Sequence, residues 1–114
     1  MAADRVRQVN ELLHRAIAEI IQKEIELPLG SFITITGVST APDLKYATIF
    51  VTILPNHLRG STFEFLGRKT IFIQNHLAGK VKLQFVPRLT FELDEGEIRA
   101  QRIYELLDTP EDKD

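Results

Sequence analysis

Three stretches of this 114-residue chain alternate apolar and polar residues with a period of two, and in each the polar set leaves one face wet. From Lys45 to Leu54, Ala47, Ile49, Val51 and Ile53 share one face, while Tyr46, Thr48, Phe50 and Thr52 share the other. Ser31 to Ser39 sets Ile33 and Ile35 against Thr34 and Thr36. From Val81 to Leu93 the apolar residues Leu83, Phe85, Leu89 and Phe91 fall on odd positions, and Lys82, Gln84, Arg88, Thr90 and Glu92 on even ones. Period two is the signature of a strand, and a one-faced strand needs cover on that face only. The chain is therefore constrained to a sheet with helices on one side. Thr40-Ala41-Pro42-Asp43 supplies a short turn, which makes the first two strands antiparallel neighbours. Pro87 cannot donate to a ladder and marks an edge or a bulge within the third.

The cover is legible too. Between Asp4 and Glu26 the residues Val6, Val9, Leu13, Ile17, Ile20 and Ile21 recur at three- and four-residue spacing, the stripe of a long amphipathic helix. Asp4 is placed to cap it and Pro28 to stop it. Glu11 and Arg15 have the order and spacing of a supporting pair. Ser61-Thr62-Phe63-Glu64 has capping-box spacing, and Gly79 is placed to close the helix that follows. The apolar residues of that helix split into Phe63 with Leu66, and Phe72, Ile73 with Leu77. The break at Gly67-Arg68-Lys69-Thr70 predicts two helical pieces meeting at a bend. The expected order is α-β-β-α-α-β, an α+β domain over residues 1–108 with a short amphipathic segment from Ile98 to Leu107. Residues 109–114 are acidic and predict a disordered tail.

The formal net charge of −2 hides a strong asymmetry. Residues 59–90 carry Arg59, Arg68, Lys69, Lys80, Lys82 and Arg88 against Glu64 alone, whereas the last 24 residues hold nine acids and three bases. The absence of cysteine excludes disulfides and thiolate metal sites, so a reducing cytoplasm is the expectation. No run reaches the length of a membrane span, and the charged start at Asp4-Arg5-Val6-Arg7 does not read as a signal peptide. His14, His57 and His76 lie far apart, and no nucleophile elbow, phosphate loop or dinucleotide fingerprint occurs. The residues point to a non-catalytic binding protein with neither metal nor cofactor.

The α-β-β-α-α-β order is that of the prokaryotic type of KH domain, whose GxxG loop between the middle helices clamps a nucleic-acid backbone. No two glycines here are three apart, and a helix bend stands in place of the loop. Three stretches carry a closer resemblance. Arg5-Val6-Arg7-Gln8-Val9 opens the long helix; Pro42-Asp43-Leu44 precedes Ala47 and a β-branched strand; and Val86-Pro87-Arg88-Leu89-Thr90-Phe91 runs on to Asp94. Over about residues 4 to 107 the chain resembles the ribosome-binding factor A family. That resemblance implies binding to the small (30S) ribosomal subunit and its 16S rRNA late in assembly, with help to maturation of the 16S 5′ end. The sequence departs from the family at one point: the family bends its helix pair at an alanine and a glycine two apart, and Lys69-Thr70-Ile71 falls there. Either the bend moves toward Gly67, or RNA is gripped differently.

Lysine and arginine neutralise phosphates and release counterions, a contribution largely independent of sequence. Arg68, Lys69, Lys80 and Lys82 bracket the second half of the bent helix, and Arg5, Arg7 and Arg15 lie on the first part of the long one. These seven are the candidate RNA contacts. The acidic end would face away from RNA or meet a basic ribosomal protein. The competing reading is a KH-like protein-docking module without a ribosomal role, using the sheet face that carries Tyr46 and Phe50. The expected state is a monomer, since no strand is long, flat and apolar on both faces.

Overall fold

The computed structural model describes residues 2–94 and Gly96. Helix α1 spans Ala2–Glu24, strand β1 Phe32–Thr40 and strand β2 Tyr46–Leu54; a short 3₁₀ turn, Asn56–Leu58, leads into helix α2, Arg59–Arg68, followed by helix α3, Thr70–Lys80, and strand β3, Arg88–Leu93. The expected segment from Ile98 to Leu107 and the tail of residues 109–114 lie outside the described residues.

β2 is the middle strand of a sheet ordered β1-β2-β3, antiparallel to β1 and parallel to β3. Parallel neighbours need a long crossover, and α2 and α3 supply it. The alternation in β2 holds throughout: Ala47, Ile49, Val51 and Ile53 are buried, with Ile49 and Val51 fully enclosed. Leu13, Ile17 and Ile20 of α1 pack on this face, together with Leu66 of α2 and with Ile73 and Leu77 of α3. All three helices therefore share one core on one side of the sheet. Side-chain bonds tie the layers together. Asn10 Oδ1 accepts from the Thr40 amide at 2.9 Å, and Gln74 Oε1 accepts from the Leu89 amide at 3.3 Å.

Several local expectations are corrected. Asp4 does not cap α1, because the helix is already running at Ala2; its carboxylate accepts instead from Arg7 Nη2 at 3.1 Å. The capping box at Ser61 does not form. The 3₁₀ turn hands the chain directly into α2 at Arg59, so Ser61 lies within the first turn and donates its hydroxyl to the Leu58 carbonyl. Gly79 stays helical and α3 ends one residue later, where Val81 turns extended and buries its side chain in the core. The third strand is shorter than its alternation suggests. Residues 81–87 form no strand, Phe85 is 75% exposed, and Pro87 is buried immediately before β3 rather than in its middle.

β1 carries a bulge at Thr36, between the pairs Ile35↔Val51 and Gly37↔Phe50. The extra residue moves the inward set from odd to even positions, so Ile35 and then Thr40 are buried. The Thr36 hydroxyl reaches the Asp94 carboxylate, and the Asp94 amide bonds the Val51 carbonyl at 2.7 Å. This pair joins the outer strands across β2.

The turn between β1 and β2 is held by the Ala41 amide on the Tyr46 carbonyl at 2.8 Å and by the Lys45 amide on Asp43 Oδ1 at 3.0 Å. Leu44 between them takes a left-handed backbone, φ 64°. Replacing Asp43 by alanine removes one bond from this turn and should cost about 1 kcal/mol in equilibrium denaturation. An unchanged midpoint together with lost subunit binding would make Asp43 a contact residue instead. Leu13→Ala, emptying a fully enclosed site, should cost about 2–5 kcal/mol by the same measurement.

Candidate nucleic-acid interface

The bend between α2 and α3 lies at Lys69, not at Gly67, which remains inside α2. Lys69 sits at φ −95°, ψ 4°, a bridge conformation open to residues with a side chain. No glycine is therefore needed, which explains how Lys69-Thr70-Ile71 stands where the family carries a small-residue step. The joint is internally bonded. The Lys69 amide reaches the carbonyls of Phe65 at 3.2 Å and Leu66 at 3.0 Å, and its own carbonyl accepts from the Ile73 amide at 2.9 Å.

This geometry gathers cations and rings at one corner. Lys69 Nζ lies 5.5 Å from the centre of the Phe65 ring and 5.9 Å from that of Phe72, within cation–π range of both. Phe72 stacks on His76 with ring centres 4.2 Å apart, and Ile71 beside it is 73% exposed. Arg68 pairs with Glu64 at 3.8 Å, but both side chains are mostly in solvent, so the pair holds Arg68 weakly. No side chain caps the start of α3. Basic side chains beside aromatic rings suit an anionic polymer with unpaired bases such as RNA.

The other candidate residues are dispersed. Lys80 is docked on Glu19 of α1 at 3.0 Å, and the same residue's carboxylate holds Lys23 at 2.8 Å. The hydrogen bond from Lys23, and after it the one from Lys80, hold the Glu19 carboxyl below the usual carboxylate pKa range; Glu19 in turn raises the pKa of Lys23. Glu24 approaches His76 Nε2 at 3.8 Å, so α1 and α3 run antiparallel along this seam. Arg7 is paired with Asp4, Arg15 is exposed on the outer face of α1, and Arg5 and Lys82 stand toward the opposite end of the seam from the bend. The structure thus brings Arg68 and Lys69 together, pairs Lys80 with Glu19, and leaves Arg5, Arg7, Arg15 and Lys82 away from the joint. The sequence reading missed the rings at the joint, although Phe65, Phe72 and His76 at spacings of seven and four carry that signal.

An α+β domain of KH-like topology, with a helix bend in place of the backbone-clamping loop, is the class that fold and site define. The chain belongs to the ribosome-binding factor A family, whose model it matches over residues 5–107. It is 35% identical over 112 residues to ribosome-binding factor A of Coxiella burnetii, covering 98% of this chain and 94% of that one. The crystal structure of ribosome-binding factor A from Thermus thermophilus shares the fold with a TM-score of 0.67 at 24% identity, over 77% of this chain and 94% of that one. Coordinates of the Thermus thermophilus factor fitted into the cryo-electron-microscopy map of a 30S–RbfA complex match with a TM-score of 0.59 at 26% identity, over 73% of this chain and 88% of that one. Among the described residues no helix is long and apolar enough to cross a membrane.

The Glu19 bridge makes stability depend on pH. A carboxyl whose folded pKa is depressed contributes stability that is present above the unfolded carboxyl's range and lost as pH falls through the folded one. Glu19→Gln should therefore melt below wild type at neutral pH, and thermal scans should converge as the medium is acidified through the carboxylate range. A gap persisting in acid would assign the effect to packing rather than charge.

Proposed function

We propose that this chain binds the small (30S) ribosomal subunit late in its assembly, contacts 16S rRNA and assists maturation of the 16S 5′ end, acting in the cytoplasm as a monomer without catalysis. The observation that carries this reading is the α2–α3 joint, where Lys69 stands between two aromatic rings with Arg68 beside it. It occupies the position at which other KH domains grip a backbone. The match to a family member fitted into a 30S complex supports the choice of partner. Arg68 and Lys69 supply charge to phosphates, and the rings offer unpaired bases a surface. Arg5, Arg7, Arg15 and Lys82 add basic charge elsewhere on the same domain, and Lys80 contributes by holding α3 on α1.

Changing Arg68 and Lys69 together to alanine should leave the fold intact, with unfolding within about 0.5 kcal/mol of wild type, since Arg68 is exposed and Lys69 only half-buried. Association with purified small subunits should weaken, and the slope of log affinity against log salt should fall by up to about two. Wild-type affinity and slope in the double variant would remove the joint from the interface.

A further inference from the structure

At the opposite end of the α1–α3 seam lies a groove of about 520 Å³, formed where the start of α1, the β1–β2 turn and the segment of residues 81–87 converge. Its volume falls within the range of ligand sites. The floor is apolar, made by Val9, Leu44, Leu83, Val86 and Pro87. Phe85 rises from its wall with three-quarters of its surface in solvent, an arrangement that core packing does not require. Arg5 and Lys45 form the rim. Neither makes an ion pair among the described residues, whereas Arg7, Lys23, Arg68 and Lys80 all do. The one carboxylate in the wall, Asp43, already accepts from the Lys45 amide. Just outside, the exposed Tyr46 stands opposite Arg88 in the β2–β3 register.

We infer that this groove is a second RNA contact, which takes an unpaired nucleotide with its base stacked on Phe85 and its phosphates against Arg5 and Lys45. The chemistry selects the ligand: an exposed ring receives any base through its π face, and two cations without an ion pair among the described residues receive the backbone. A docked apolar protein segment would want a wider apolar surface without a cationic rim. The inference rests on the RNA-binding reading above but, apart from Arg5, uses different residues. From the pairs Glu19–Lys80 and Glu24–His76, and a helical rise of about 1.5 Å per residue, Arg5 lies about 21 Å from Glu19, and Thr70 about 15 Å from Lys80 in the other direction. The groove and the bend are thus at opposite ends of the domain.

The test uses the full chain, an unstructured oligouridylate hexamer carrying 5-iodouridine, and purified small subunits. Phe85→Ala should bind the hexamer about 5- to 150-fold more weakly, and irradiation of wild type should crosslink the iodouridine at Phe85. Arg5→Ala with Lys45→Ala should lower the salt slope for the hexamer by about 1.4. Phe85→Leu, which keeps the apolar bulk, should fold as wild type and still lose hexamer affinity. Unchanged hexamer binding in Phe85→Ala, without a crosslink at Phe85, overturns the inference. Loss of subunit binding with hexamer affinity intact overturns it as well and assigns the groove to a protein segment. Failure of the wild type to bind subunits would sink the ribosomal reading alone, because the hexamer measurements are read independently of it.

Discussion

Everything in this domain hangs on the central strand having one apolar face. Ala47, Ile49, Val51 and Ile53 need cover on one side, and Thr48, Phe50 and Thr52 keep the other side wet. Because β2 pairs antiparallel with β1 and parallel with β3, the chain must cross over between β2 and β3, and that crossover has to lie on the apolar side. Two short helices with a bend satisfy both demands: Leu66 and Ile73, fully buried on either side of Lys69, anchor the two pieces on the same core. The bend is the geometric consequence of laying about two helices' length on a sheet of three strands. The cation and rings it exposes come with it.

Period-two and helical patterns made most of the architecture legible, because burial on one face writes directly into the sequence. β2 reads without error, and the break between Leu66 and Phe72 announces the bend. What failed were features decided by a single backbone hydrogen bond or by competition between neighbours. Ser61-x-x-Glu64 has the spacing of a capping box, yet a 3₁₀ turn started the helix two residues earlier, and no composition rule distinguishes the two starts. The bulge at Thr36 left Ile33 and Ile35 in phase but put Thr40 on the buried side, a shift that only the partner strand's register reveals. Phe85 fits the odd-numbered apolar set of its segment and is nevertheless exposed, because residues 81–87 form no strand and carry no fixed alternation. Arg68 and Lys69 were legible as basic residues beside the bend. The pairing of Lys80 with Glu19 was not legible, since Glu19 lies on another helix, and a basic residue read along the chain does not show which acids the fold brings to it.

Part of the acidic charge on the described residues is engaged in internal pairs. Glu19 and Glu24 occupy the α1–α3 seam, where they meet Lys23, Lys80 and His76, and Asp4 meets Arg7. Surface pairs of this kind add little stability each. The distance between the bend and the groove is set by the packing of α1 on α3.

That distance matters because two weak contacts on one rigid body act as more than their sum. Once the joint holds one part of an RNA surface, the groove meets the second part at an effective concentration set by geometry rather than by the solution. The gain requires a rigid connection, and the connection here is short: Ile20, Ile73 and Leu77, all buried, join the helices under the Glu19 bridge. It also requires that the two parts of the RNA surface stand at the matching separation. A partner that has yet to reach that arrangement would engage one contact and not the other, and would be held more loosely. Discrimination between folded states of a large RNA can thus arise from a domain with no base-specific site, through the spacing of two charged, aromatic patches.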